Sequence, residues 1–381
     1  MIDSFTSSVD MLQFSLWRKM ELQQAMFDIT LELTARCNLN CRHCYINQPP
    51  GDRAQKANEL TFEEIDAWTD EAVDLGCLWC LLTGGEPLLR EDFTDIYLLL
   101  KKKGLLVSVF TNAVLIKEEH LRLFRKYPPR ELEVTVYGVT PETYGRVTLK
   151  PDTYKGFMRG VNQLLESGIK VRFKSMAMRS NLDEMPQIAD FCRERTAGFF
   201  KFDPFLHLRY DSDPARNAEI ISERLSPDEI VTLEHSDPDR IKALDKDCGY
   251  LNQTDLTHTD CNHLFHCGAG KSGVTISYDG RYRICSELWH PDAAYDLRKG
   301  SLTEAWRDFT PRIRDMRSDN PIYHQNCKNC AVFDLCFWCP AHAHLEHGRL
   351  DEPVGYFCEI AHARSDSLQR KLDSKFNLSP V

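Results

Sequence analysis

The chain lacks a run of apolar residues long enough to cross a membrane. A span takes roughly 20 in succession. The longest candidate, Leu75 to Leu82, is strand-sized and is followed by Gly84-Gly85. A secretion signal is missing too: the start, MIDSFTSSVDMLQFSLWRKM, has no basic opening that leads into an apolar stretch and a small-residue cleavage site. A basic tract is also absent. With 47 Lys and Arg against 57 Asp and Glu, the formal net charge is −10, which argues against sequence-independent nucleic-acid binding. There is no internal repeat and no low-complexity segment. These absences lead to the expectation of a cytoplasmic protein with neither nucleic acid nor membrane as partner. The 381 residues, 42% of them hydrophobic, suffice for one large core plus a smaller domain, or for two or three modest ones.

Cysteine, by contrast, is abundant, at 15 residues. A reducing cytosol does not keep structural disulfides, so this number argues for metal ligation. Three cysteines, Cys37-x3-Cys41-x2-Cys44, follow the apolar run Met26 to Leu33. Three thiolates in one tight loop can hold three irons of a cubane cluster and leave the fourth open to a small molecule, whereas electron-transfer clusters use four cysteines. A zinc site or three structural thiols is the alternative. Near the other end, Cys327-x2-Cys330-x5-Cys336-x2-Cys339 taken alone suits a four-cysteine zinc site. Cys77 and Cys80 lie on a strand pattern and read as buried core thiols. His342, His344 and His347 read as solvated surface residues.

From Met26 onward, strand and helix patterns alternate. Strands are expected at Phe27–Leu33, Cys77–Leu82, Leu106–Thr111, Leu132–Tyr137, Val171–Met178 and Phe199–Leu206. Helices are expected at Thr61–Leu75, Phe93–Lys103, Lys117–Lys126, Tyr154–Ser167 and Leu182–Glu194. The first opens on a capping box, Thr61-x-x-Glu64, and repeats Phe62, Ile65, Trp68, Ala72 and Leu75 at helical spacing. Six βα units in series imply a parallel sheet with right-handed crossovers. Periodicity does not separate an open sheet from a barrel. Past Leu206 the alternation stops, and 207–260 reads as a connector with one helix near Pro227–Glu234. Gly273–Cys285 has the pattern of a hairpin turning at Tyr278-Asp279-Gly280.

The spacing Cys37-x3-Cys41-x2-Cys44-Tyr45, with Gly84-Gly85-Glu86-Pro87 after the second strand, resembles the radical S-adenosylmethionine (radical SAM) superfamily. The C-terminal succession Cys261-x5-Cys267-x12-Gly280-x4-Cys285, then Cys327, Cys330, Cys336 and Cys339, then Cys358, resembles the SPASM domain appended to radical SAM peptide-modifying enzymes; its last step is x2 where the family has x3. The resemblance implies an α/β fold, a partial (β/α)6 TIM-like barrel followed by a small cysteine-rich iron–sulfur (SPASM) domain. The expected division is an N-terminal extension 1–25, a barrel 26–206, the connector 207–260, an auxiliary-cluster domain 261–363 and a tail 364–381.

The resemblance also implies the chemistry. Three 4Fe-4S clusters are expected. One binds S-adenosyl-L-methionine through Cys37, Cys41 and Cys44. Two are auxiliary, on Cys261, Cys267, Cys285 and Cys339 and on Cys327, Cys330, Cys336 and Cys358. Reductive cleavage of the cofactor yields a 5′-deoxyadenosyl radical that abstracts hydrogen from a peptide or protein side chain. Cofactor contacts are expected from His43, Gly84, Gly85, Glu86, Thr111, Asn112, Thr135 and Arg146. Glu86 would meet the ammonium and Arg146 the carboxylate of the methionine moiety. Thr111-Asn112-Ala113 departs from the family's Thr-Asn-Gly. Glu287, two residues past Cys285, is the expected proton acceptor. The implied partners are a peptide or protein substrate, a separate leader-peptide-binding protein, and an electron donor such as flavodoxin or ferredoxin. A small-molecule substrate, and an iron–sulfur carrier or scaffold without radical chemistry, are the alternatives.

Overall fold

Alternating apolar residues at six places along the chain form six parallel strands. They are β1 (Asp28–Glu32), β2 (Trp79–Thr83), β3 (Leu106–Thr111), β4 (Glu131–Thr135), β5 (Val171–Met176) and β6 (Lys201–Asp203). Each lies within three residues of its expected position. This computed structural model describes residues 22–196, 200–238, 240–242, 262–328 and 330–376. The strands run in sequential order from β6 to β1 across the sheet, and β6 does not pair with β1. The arc is therefore a partial barrel. The pleat sends alternate side chains to opposite faces. Ile29 and Leu31, Val107 and Val109, and Leu132 and Val134 are buried in the hydrophobic core. Thr30 and Glu32, Leu81 and Thr83, Lys174 and Met176 point instead into a shared cavity.

Helices fill the intervals: α1 (Arg53–Asn58), α2 (Phe62–Asp74), α3 (Phe93–Lys102), α4 (Glu118–Lys126), α5 (Pro141–Thr148), α6 (Tyr154–Glu166) and α7 (Met185–Arg195). The capping box of α2 is formed as its sequence indicates. The Glu64 N–H donates to Thr61 Oγ1 at 3.1 Å, and the Thr61 N–H donates to Glu64 Oε2 at 2.9 Å. Ile65, Trp68 and Ala72 form its buried face. The periodicity did not reveal α1 or α5. The first buries no residue. The second is a short helix that opens on Pro141 after the N-cap Thr140.

Within the stretch expected as a connector, residues 207–238 carry two helices, the second where one was expected. They fold as α8 (Pro214–Glu223) and α9 (Pro227–Ser236) and brace the cluster loop. The second cysteine-rich region also shares the first region's sheet. The hairpin strands β7 (Gly273–Ile276) and β8 (Arg281–Arg283) are followed by β9 (Ala294–Asp296), and β7 pairs parallel to β1. The result is one nine-stranded sheet over a continuous core that includes Met26, Tyr282 and Ile360. After the hairpin come α10 (Pro321–Asn326), α11 (Pro340–His347) and α12 (Gly355–Phe376). The last crosses the expected boundary at 363–364 because its inner face is anchored. Arg364, 1% exposed, forms a buried ion pair with Glu234 of α9. Among the described residues no helix is long and apolar enough to cross a membrane.

Candidate active site

The loop after β1 carries the first three cysteines and is tied down at many points. The Cys37 N–H donates to Gln48 O at 2.9 Å, and the Gln48 N–H donates to Ala35 O at 2.8 Å. The Asn40 and Arg42 N–H groups donate to Thr148 O and Val147 O, both at 3.0 Å, which docks the loop on the end of α5. Arg209 donates to Asn47 Oδ1 at 3.0 Å and to Cys44 O at 3.4 Å, and Arg216 of α8 donates to Cys41 O at 2.8 Å. These arginines are positioning residues that sequence spacing did not reveal. They come from the stretch read as a connector.

The loop and the C-terminal strand ends enclose a cavity of about 360 Å³. Cys37, Cys41, Cys44, His43, Gly84, Gly85, Thr111, Asn112, Thr135 and Glu287 all line it. Chemistry at the C-terminal ends of strands is the pattern of parallel barrels. Burial pushes the Cys37 and Cys41 thiols upward, and the neighbouring thiols of the loop add to the effect. Three clustered thiolates without a cation would be unfavourable here, because the thiolate is the ligand form and a buried thiol resists ionising. An iron cluster supplies that cation, so the donor set fits it. Asn112 Nδ2 lies 3.7 Å from Cys37 Sγ and donates to Asn38 Oδ1 at 2.9 Å, which steadies the first ligand.

Gly84 and Gly85 hold the β2 end against the β1 end. Gly84 has φ +126, and a Cβ there would stand 2.3 Å from Thr34 O; one on Gly85 would stand 2.4 Å from Arg36 O. The Gly85 N–H donates to Thr34 O at 2.6 Å. Only glycine permits this approach. Glu86 departs from expectation. It is 0% exposed, and both carboxylate oxygens are already engaged. Oε1 accepts from the Leu88 N–H at 3.0 Å and from Thr111 Oγ1 at 2.8 Å, and Oε2 accepts from the Asn112 N–H at 2.8 Å. It therefore fastens the β2 end to the β3 end, just behind the cavity lining that Gly84 and Gly85 supply.

Arg146 departs further. It lies on α5, half-exposed and outside the cavity lining, and donates to Ser180 O at 3.0 Å and Asp183 Oδ1 at 3.1 Å. The His43 ring does face inward. It packs against Tyr137 with centroids 5.4 Å apart, and burial lowers its pKa to about 3, so it is neutral.

The C-terminal thiols form two groups. Cys267, Cys285 and Cys339 lie close enough for Cys285 and Cys267 to help raise Cys339, whose pKa burial takes to about 12. Cys261 falls outside the described residues. Cys327, Cys330, Cys336 and Cys358 line a second cavity of about 390 Å³. Every described cysteine is a free thiol. Among the described residues no three His, Cys, Asp or Glu side chains are grouped so as to hold a single metal ion. Cys77 and Cys80 are buried core thiols as expected. His342 is not a surface residue: it is 8% exposed and stacks on His207 at 4.4 Å between centroids. Glu32, Arg283 and His207 sit at or beside the first cavity and were missed. The alternation of Asp28, Thr30 and Glu32 with Ile29 and Leu31 along β1, which puts all three polar residues on one face, was the available signal for Glu32.

An incomplete parallel barrel with a three-thiol loop at its strand ends, joined to a cysteine-rich hairpin region, defines a class of cofactor-cleaving iron–sulfur enzymes. Residues 31–192 match the family model described as "Radical SAM superfamily". The chain is 30% identical over 354 residues to the AdoMet-dependent heme synthase of Methanosarcina barkeri, covering 86% of this chain and 95% of that protein. It is 26% identical over 320 residues to the antilisterial bacteriocin subtilosin biosynthesis protein AlbA of Bacillus subtilis, covering 80% and 67%. The crystal structure of Streptococcus suis SuiB bound to precursor peptide SuiA shares the fold at a TM-score of 0.64 and 15% identity, covering 92% of this chain and 80% of that one. The chain belongs to the radical SAM superfamily as a SPASM-type enzyme. It uses a 4Fe-4S cluster and S-adenosylmethionine.

Proposed function

We propose that this enzyme modifies a side chain of a peptide or protein, by crosslinking, epimerisation or oxidation. The observation that carries the reading is the shared cavity. Cys37, Cys41 and Cys44 line it together with Ser286 and Glu287, the residues directly after Cys285. When bound, the cluster and cofactor supply one-electron reductive cleavage and abstraction of a substrate hydrogen. The chain's own part is to hold the cofactor, exclude water and accept a proton. Gly84 and Gly85 leave room for the cofactor, His43 offers a neutral ring, and Thr111, Asn112 and Thr135 offer polar contacts. The place of Glu287 in the cavity lining supports its role as the group that takes the substrate proton.

The proposal includes two auxiliary clusters, on Cys261, Cys267, Cys285 and Cys339 and on Cys327, Cys330, Cys336 and Cys358. It also includes an electron donor such as flavodoxin or ferredoxin and a separate leader-peptide-binding protein. The relative named for subtilosin biosynthesis supports a peptide substrate. The heme synthase relative, which matches over 86% of this chain, favours a second reading in which the substrate is a small molecule. The test is anaerobic incubation of the reduced, reconstituted enzyme with S-adenosylmethionine and the small peptides encoded beside its gene, followed by mass spectrometry. A mass change in a peptide, coupled to release of 5′-deoxyadenosine, is expected. Turnover of a tetrapyrrole with no change in any peptide would establish the second reading.

A further inference from the structure

One wall of the cavity carries an arrangement that cofactor cleavage does not account for. Glu32 ends β1, and its side chain is 1% exposed. Its Oε2 accepts from Arg283 Nη2 of β8 at 2.6 Å. Arg283 is 0% exposed, donates to Ser286 O at 2.5 Å and lies over the Trp289 ring at 3.5 Å. The other oxygen, Glu32 Oε1, is buried with no hydrogen-bond partner, and so is Glu287 Oε2. Both residues line the cavity. A buried acceptor left without a donor costs about 1–3 kcal/mol. Two facing one cavity are an open demand for donors.

The charges point the same way. The wall sets two carboxyl groups against one guanidinium, and the donors Arg283 Nε and Trp289 Nε1 behind it are also buried without partners. Burial first, with Glu287 adding to it and Arg283 opposing it, raises the Glu32 pKa to about 7, so a cation at its open oxygen would draw this carboxyl into its charged form. The lysine that lines the cavity does not answer them. Lys174 is paired with Glu133 at 2.6 Å and lies over the Phe110 ring at 4.2 Å.

We propose that Glu32 and Glu287 form a recognition site for a cationic group of the substrate, the ammonium or guanidinium of a basic side chain, held by their two open oxygens. Arg283 is the positioning residue: it fixes the Glu32 rotamer and leaves one oxygen of that carboxylate facing the cavity. The inference rests on the reading that a peptide side chain enters this cavity, and it specifies which kind.

The test uses the full-length, reconstituted enzyme with S-adenosylmethionine bound. The probes are N-acetyl-lysine amide, its neutral counterpart N-acetyl-norleucine amide, and N-acetyl-glutamate amide. Binding is followed by calorimetry and by the fluorescence of Trp289. The lysine probe is expected to bind about tenfold tighter than norleucine, with the glutamate probe weakest. Glu32→Gln and Glu287→Gln should each cut that preference to about threefold or less. Should Glu32→Gln fail to fold because Arg283 loses its partner, Glu287→Gln and the wild-type comparison still decide. Equal binding of the three probes, or no binding of the lysine probe, overturns the proposal. So does a Glu32→Gln variant that loses cofactor affinity yet keeps the lysine preference, which would assign the pair to the cofactor. The mass change in a peptide incubated with the reduced wild type tests the peptide reading separately, so the two can fail independently.

Discussion

At the scale of single residues, backbone conformation and burial decide roles that motif matching leaves open. Ala113 adopts φ +62, the left-handed region, where the family pattern has glycine. A side chain there costs roughly 1–2 kcal/mol, partly offset by the entropy that glycine loses on folding. Ala113 is also fully buried in the core, and loss of its methyl costs about 0.8 kcal/mol, so Ala113→Gly is expected to leave stability within about 1 kcal/mol of wild type in urea unfolding; a larger loss would show that the strain is not relieved. Arg146 shows the opposite lesson. Its half-exposed pair with Asp183 is worth below about 1 kcal/mol. Arg146→Ala should leave S-adenosylmethionine affinity within about twofold of wild type, as equilibrium dialysis would show. A larger loss would return this residue to the cofactor site.

At the scale of elements, helix termini do the positioning. The N-terminus of α4 is closed by His120, whose Nδ1 accepts from the Lys117 N–H at 3.3 Å, while its ring packs edge-on to Phe93. Burial, with Lys117 helping, lowers its pKa from 6.5. The folded state thus binds fewer protons than the unfolded chain. The stability that His120 contributes is complete above pH 6.5 and is lost as pH falls through the window below it. His120→Asn keeps a cap acceptor without a titrating ring. The gap in urea midpoint between wild type and His120→Asn should narrow between about pH 7.5 and about pH 5.5. A gap that is constant or widens would show that the imidazole is not held neutral.

At the scale of the whole molecule, one sheet carries both cysteine regions. Because β7 pairs with β1, the hairpin that bears Cys285 is placed by the same strand that leads into Cys37. The reading of three clusters predicts about twelve irons per chain in anaerobically reconstituted protein. Cys37→Ala, Cys41→Ala and Cys44→Ala together should remove about a third of that iron, and Cys330→Ala with Cys358→Ala another third. Zinc with about four irons in the wild type would make the C-terminal groups zinc sites instead.

The sequence alone determined the parallel sheet, its six strands, the three-thiol loop and the approximate limits of most barrel helices. These are local: period two, period 3.6, capping boxes and ligand spacing are all written within short windows. Hydrophobic patterning did not reveal α8, since its buried residues are few and its hold on the cluster loop is made by Arg216, nor that Glu234 of the expected α9 pairs with Arg364. Nor could it show that the hairpin extends the main sheet, because strand pairing between residues far apart in sequence leaves no local mark. Tertiary structure alone decided which polar side chains face the cavity. Glu86 and Arg146 carried the motif yet are engaged elsewhere, while Glu32, unmarked by any motif, is turned inward by the pleat of β1 and held there by an arginine 251 residues away.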